Sequence, residues 1–315
     1  MPRAAGSPAC DRGSNDVSTL GEIQRGLRFA NWLLNPLYRP AVPSVYDLIG
    51  TDAPTTNGLY LNLGFWRDAR TLDDACEALV DLVGVRAQLD QAVRLVDCGF
   101  GFGDQDLYWA RQHPSLQIVG LNVTGSQVRT ARDRISAAGL TDRIDLRIGS
   151  ATEMPLDDES ADAVIALESA FHFRTRERFL REAQRVLKPG GRLVTADIIP
   201  MPNKDGSRIT APASLGWRLT ASRFSIPDEN VYPRADYNAL LDRLGFGDVV
   251  VESIRDDVYP PLHQHLRDNP DILTSLHPVP RIAAHLSLLP SAERTFGGLD
   301  YVIGSAVKAG TVANA

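Results

Sequence analysis

The residues most suited to chemistry stand where apolar runs end. The densest case is Val96-Asp97-Cys98-Gly99-Phe100-Gly101-Phe102-Gly103-Asp104, an apolar segment that breaks into three alternating glycines. Glycines at a strand-to-helix turn let the backbone approach a ligand and aim its N–H groups at it. The spacing is G-x-G-x-G, and Asp104 stands where the dinucleotide fingerprint G-x-G-x-x-G has its last glycine. Asp97, Asp104 and Asp106 surround the turn with carboxylates, which would repel a pyrophosphate. Further polar residues follow the same rule of place. Asn122 closes the run Gln117–Asn122, Ser150 and Ala151 follow Arg143–Gly149, and Glu168 follows Ala161–Leu167. His172 comes just after Glu168, and Asp197 lies near the end of the run Arg192–Ile199.

A ligand that is positively charged and carries no phosphate fits this loop, and S-adenosyl-L-methionine (SAM), a sulfonium bearing an amino acid, is such a ligand. An NAD-dependent dehydrogenase is the rival that Asp104 disfavours. Asn122 is placed to accept a hydrogen bond from a ribose hydroxyl, with an amide where a carboxylate is commoner. Methyl transfer to an alcohol needs alignment and a group that takes the hydroxyl proton, the latter typically worth ~10²–10⁴-fold. His172 is the candidate base, and Asp197 the candidate partner that orients its imidazole. Both also have structural readings, His172 as a helix cap and Asp197 as a satisfied strand-end acid. Glu168 either binds an amine, orients His172 or makes an ordinary strand-end contact. His263 and His265 diverge on a helix, and Asp157-Asp158-Glu159 reads as a solvated turn, so no metal site is expected.

For these groups to meet, the apolar runs must be parallel strands whose ends share one edge. Helices are expected between them near Asp104–Gln112, Gly125–Ala138 and Thr175–Leu187, the last stopped by Lys188-Pro189-Gly190-Gly191. Another helix should start at Thr71, with Asp74 completing a capping box. The alternation implies an open, doubly wound, mostly parallel sheet. It breaks after Ile199. A helix at Arg234–Leu244 and strands at Asp248–Ser253 and Asp300–Val307 remain, separated by irregular stretches near 200–232 and 254–298 that are candidate lids. Trp217, Phe224, Tyr232 and Tyr259 in those stretches are candidates for a substrate pocket. Residues 1–20 read as a disordered tail, 21–70 as an N-terminal cap broken at Pro36, Pro40 and Pro43, and 71–310 as the main domain.

Composition narrows the class without choosing the reaction. At 315 residues the chain can bury an ample core, and its three scattered cysteines exclude a disulfide scaffold. A net charge of −6 argues against a nucleic-acid surface, and residues 1–20 lack an apolar core and no run nears ~20 apolar residues, so neither a secretory signal nor a membrane span is expected. A cytoplasmic protein acting on a small molecule is the expectation, with a homodimer as a candidate assembly.

The ordered motifs Asp97-Cys98-Gly99-Phe100-Gly101-Phe102-Gly103, Asn122, Ala151-Thr152-Glu153-Met154-Pro155 and Arg185-Val186-Leu187-Lys188-Pro189-Gly190-Gly191 resemble those of class I SAM-dependent methyltransferases. Tyr60-Leu61-Asn62-Leu63-Gly64-Phe65-Trp66, Leu167-Glu168-Ser169-Ala170-Phe171-His172, Ala196-Asp197-Ile198-Ile199-Pro200 and Leu299-Asp300-Tyr301-Val302-Ile303 resemble the erythromycin-pathway sugar O-methyltransferase group and related natural-product methyltransferases. The resemblance spans roughly residues 25–310. It implies a Rossmann-like, seven-stranded sheet ending in an antiparallel hairpin, and SAM as cofactor. Gly99 and Gly101 would then approach its methionine part, Asn122, Val123 and Gln127 its ribose side, and Ser150 and Ala151 its adenine. Tyr60 and Asn62 would close over it, Glu168 would border it, and His172 with Asp197 would serve as base and partner. The acceptor implied is a hydroxyl of a natural product such as a glycosylated polyketide. C- or N-methylation of a lipid-like or ring substrate is the alternative.

Overall fold

A computed structural model describes residues 19–35, 37–202 and 215–310. Most of the expected tail, residues 1–18, and residues 203–214 of the first insertion lie outside the described residues. The chain opens with α1 (Thr19–Leu34) and α2 (Val42–Ile49). Pro43, expected to break a helix, instead sits in the first turn of α2, where its missing N–H has no intrahelical partner to lose. Phe29 and Trp32 of α1 pack on Val45 and Leu48 of α2 as a small separate core. α3 (Leu72–Arg86) begins with the expected capping box, in which Thr71 and Asp74 each accept the other's backbone N–H.

The alternation then proceeds through β1 (Arg94–Cys98), α4 (Asp104–Gln112), β2 (Gln117–Asn122), α5 (Gly125–Ala137), β3 (Ile144–Ile148), β4 (Ala161–Leu167), α6 (Arg176–Val186) and β5 (Leu187–Pro200). After it come α7 (Leu215–Arg223), α8 (Arg234–Arg243), β6 (Phe246–Ser253), α9 (Tyr259–Asp268), α10 (Pro278–Ser287), α11 (Ala292–Thr295) and β7 (Leu299–Lys308). The seven strands form one open sheet in the order β3-β2-β1-β4-β5-β7-β6. Only β7 runs antiparallel, pairing with β5 on one side and β6 on the other. Among the described residues no helix is long and apolar enough to cross a membrane.

Helices cover both faces of this sheet, which is why its central strands are apolar almost throughout rather than alternating. Leu95, Ile165, Val194 and Ile303 face Leu79, Val80 and Trp109 of α3 and α4. Their neighbours Val96, Val164 and Val302 face Phe179 and Leu180 of α6 and Tyr237 of α8. Strand order reverses between β1 and β4, so a crevice opens at the carboxyl ends of these two strands, where α/β sheets bind ligands.

One boundary differs from expectation. α6 stops at Val186, but Lys188-Pro189-Gly190-Gly191 is part of β5 rather than a linker before it. Pairing with β4 jumps from Ala161↔Leu187 to Ala163↔Arg192, so the four residues bulge out of the ladder. Gly190 at φ +80° supplies the left-handed backbone the bulge needs, and Lys188 pairs with Asp162 at 2.5 Å.

Candidate active site

The glycine loop occupies the crevice between β1 and α4. Gly99 takes φ +92°, and an added Cβ would lie 2.4 Å from the Ser169 Cβ, so no other residue fits between β1 and the end of β4. Gly101, at φ +56°, meets only Leu61 within 4 Å and leaves its backbone open. The carboxylates expected to give the loop a negative field are mostly spent inside the protein. Asp104 forms a two-oxygen ion pair with Arg134 and accepts Leu59 N–H. Asp97 and Asp106 are fully buried away from the crevice, and burial raises both carboxyl pKa values. The charge argument for a sulfonium is therefore weaker in the folded protein than in the bare sequence, and the cavity's shape and donors carry more of the case.

That cavity has a volume of about 480 Å³, inside the ~300–1,000 Å³ typical of small-molecule sites. Tyr60, Asn62, Gly99, Gly101, Asn122, Val123, Gln127, Ser150, Ala151, Glu168 and His172 all line it. Asn122 Nδ2 donates to Gln127 Oε1 at 2.9 Å, while its Oδ1 accepts Thr124 N–H. This bond turns the Gln127 amide so that its buried Nε2 has no partner, an orphaned donor suited to a ligand oxygen. A nucleoside bearing an amino acid fits such a cradle.

His172 ends a short 3-10 turn after β4 and is 8% exposed. Its Nδ1 lies 2.7 Å from the Phe224 carbonyl oxygen and its Nε2 2.9 Å from the Tyr46 hydroxyl. A carbonyl only accepts, so the ring proton belongs on Nδ1, and Nε2 presents a lone pair to the hydroxyl. Burial pushes the imidazole down to about 4, so it is neutral at physiological pH.

Asp197 does not reach His172, contrary to the sequence expectation. Its Oδ2 lies 2.7 Å from Arg176 Nε, and both side chains are wholly buried. The guanidinium lies against both Tyr232 and Tyr237, 4.7 and 5.1 Å from the ring centroids, and donates to the Asn230 carbonyl. A buried carboxylate takes the strongest available countercharge, and Arg176 at the start of α6 is that group. Glu168 is occupied too. At φ +47° it turns back from β4, and Oε1 accepts Leu63 N–H at 2.6 Å and the Tyr301 hydroxyl at 2.7 Å. It thereby ties the segment bearing Tyr60 and Asn62 to the sheet, and burial pushes its carboxyl up to about 7.

Tyr46 is the functional residue that sequence reasoning overlooked. It lines the cavity from α2, 126 positions before His172, and no local pattern marks it. Phe224, one of four aromatics expected near a substrate, contributes its carbonyl to His172. Tyr232 instead covers Arg176, Tyr259 stacks on Phe296 at 4.5 Å, and Trp217 is buried.

Residues 96–195 match a family described as a methyltransferase domain. The chain is 36% identical over 253 residues to erythromycin 3''-O-methyltransferase of Saccharopolyspora erythraea, covering 78% of this chain and 81% of that protein. It is 35% identical over 150 residues to 27-O-demethylrifamycin SV methyltransferase of Amycolatopsis mediterranei, covering 47% of this chain and 55% of that one. Among solved structures, the [4+2]-cyclase SpnF superposes with a TM-score of 0.60 at 25% identity, over 91% of this chain and 97% of the other. Geranyl diphosphate methyltransferase in complex with SAM gives 0.59 at 17% identity, over 75% and 87%.

Proposed function

The chain belongs to the class I SAM-dependent O-methyltransferases, and we propose that it methylates a hydroxyl of a natural product such as a glycosylated polyketide, with His172 as general base. The observation that carries the base assignment is the fixed imidazole, whose Nδ1–H is held by the Phe224 carbonyl while Nε2 meets the hydroxyl of Tyr46, which lines the same cavity as His172.

SAM, when bound, supplies a methyl group on a positively charged sulfur. The open backbone at Gly101 and the neighbouring Gly99 take its amino-acid portion, and the Gln127 amide donates toward its sugar. Among the residues lining the cavity, Val123 would border the ribose with Asn122, Ser150 and Ala151 would border the adenine, and Tyr60 and Asn62 would close over the cofactor. The acceptor oxygen takes the position that the Tyr46 hydroxyl holds against Nε2. As the oxygen gains the methyl group, its proton passes to Nε2, and the Phe224 carbonyl steadies the resulting imidazolium through Nδ1–H. The low basicity imposed by burial keeps Nε2 free at neutral pH and releases the proton again afterwards. The N-terminal cap at 21–70 and the insertion near 200–232 serve as acceptor-side lids, because they supply Tyr46 and Phe224.

Replacing His172 with Ala is expected to lower turnover by ~10²–10⁴-fold while calorimetry finds SAM affinity close to wild type. Turnover that survives the change defeats the base assignment. Mass spectrometry of products from a panel of hydroxylated acceptors tests the reaction itself, a methyl found on carbon or nitrogen being the contrary result.

A further inference from the structure

A second cavity, of about 280 Å³, lies behind the Tyr60–Asn62 segment. Leu266 and Leu276 line it from the late insertion and Trp32 lines it from α1, while Tyr60, Leu61 and Asn62 line both cavities. Its walls are mainly hydrocarbon, and the carboxylate on them, Asp52, is held by Arg25 at 2.8 Å. The Trp32 ring meets Phe224 edge-on with centroids 6.3 Å apart, and Phe224 is again 6.3 Å from His172. A single aromatic ring thus separates the wall of this cavity from the candidate base.

Volume indicates what the cavity is for. The first cavity, at about 480 Å³, suits one drug-sized ligand, and its glycine-loop side is assigned to SAM. A substantial acceptor therefore needs further space. The second cavity is just below the ~300 Å³ at which whole-ligand sites begin, so it suits a portion of a molecule. Water gains few hydrogen bonds at walls of this kind, so an apolar occupant that covers them is favoured by the hydrocarbon area it removes from water. Resting on the O-methyltransferase reading, we propose that this cavity is the acceptor's apolar subsite, holding an aliphatic portion of the substrate while its hydroxyl lies at His172. The acceptor class is then an amphiphile with a hydrocarbon segment close to the methylated oxygen.

The test uses 1-hexanol, 1-octanol and 1-decanol, titrated calorimetrically into the full chain saturated with S-adenosylhomocysteine, which keeps the alcohols out of the cofactor side. Affinity should rise about fourfold per added methylene. The resonances of the ¹⁵N-labelled His172 ring should shift when 1-decanol binds. Leu266→Trp and Leu276→Phe each narrow the cavity and should flatten the chain-length series, circular dichroism confirming which variant is folded. Absence of binding, affinity independent of chain length, a full series retained in a folded variant, or an unmoved His172 resonance each overturns the proposal. Failure of the underlying methyltransferase reading registers separately, as failure of S-adenosylhomocysteine to bind at the outset.

Discussion

Replacing Asp197 with Asn removes the charge facing Arg176 and preserves the side chain's shape. Both partners are fully buried at 2.7 Å, so the guanidinium is left without a counterion in a medium that cannot hydrate it. Removing one member of such a pair costs about 3–5 kcal/mol. The Tyr232 and Tyr237 faces and the Asn230 carbonyl still hold the cation, which favours the lower end of that range. With an unfolding entropy of about 2.1 cal/mol/K per residue, 315 residues give about 0.7 kcal/mol/K, hence a fall in Tm of about 5–8 °C. Asp197 neither lines the cavity nor touches His172, so methyl transfer assayed well below the new Tm should keep most of its turnover. Combining Asp197→Leu with Arg176→Met should recover much of the loss, less about 1–3 kcal/mol for the Asn230 carbonyl left without its donor. Calorimetric melting and initial rates on the same samples decide the matter. An Asn variant that melts like wild type but turns over a hundredfold more slowly would restore Asp197 to the chemistry and refute this account.

Tyr46→Phe removes the hydroxyl that donates to Nε2 and so stabilises the neutral ring; the acid limb of the kcat/KM profile should move upward from near pH 4. Gly99→Ala should abolish SAM binding by calorimetry, because the new Cβ collides with Ser169 at a backbone angle alanine resists. Glu168→Gln keeps an acceptor for Leu63 N–H and Tyr301 but deletes a titration. A carboxyl raised from 4.5 to about 7 by folding contributes stability below pH 4.5 that is lost as pH rises through 7, so the variant should gain about 3 kcal/mol on wild type across that window in denaturant melts.

Local physics explains why the sheet was legible and part of the site was not. β1, β2 and β4 coincide with the apolar runs because strands covered on both faces must be continuously hydrophobic, and α4 begins where Gly103 ends. That the residues at the strand ends line one cavity was readable, because topology alone sends every parallel strand end to one edge. Which side chains meet beyond that edge depends on burial and competing charge. Asp197 and His172 are close in the sheet's logic, yet Arg176, on a helix chosen for its apolar stripe, takes the carboxylate first. Likewise Tyr46 reaches His172 across 126 residues, a distance over which periodicity carries no information. The Lys188–Gly191 signal was correctly a break in α6 but gave no sign that the sheet would absorb it as a bulge.

A glycine cradle on a parallel sheet is compatible with many reactions, so commitment to one of them must come from groups added above it. In this chain the sheet contributes the imidazole, but the first insertion contributes the Phe224 carbonyl that sets its tautomer, and the N-terminal cap contributes the hydroxyl at Nε2. The cap also lines the apolar cavity through Trp32, whose Nε1 donates to the Arg223 carbonyl beside Phe224, while Leu266 and Leu276 join it from the second insertion. Acceptor shape and base orientation are therefore coupled. A lid altered to admit a different acceptor moves the Phe224 carbonyl, and without that acceptor for Nδ1–H the proton is free to occupy Nε2, where the ring can no longer act as a base. Selectivity in this fold thus cannot be retuned by widening a pocket alone; the backbone at 223–225 has to stay in place while the side chains around it change.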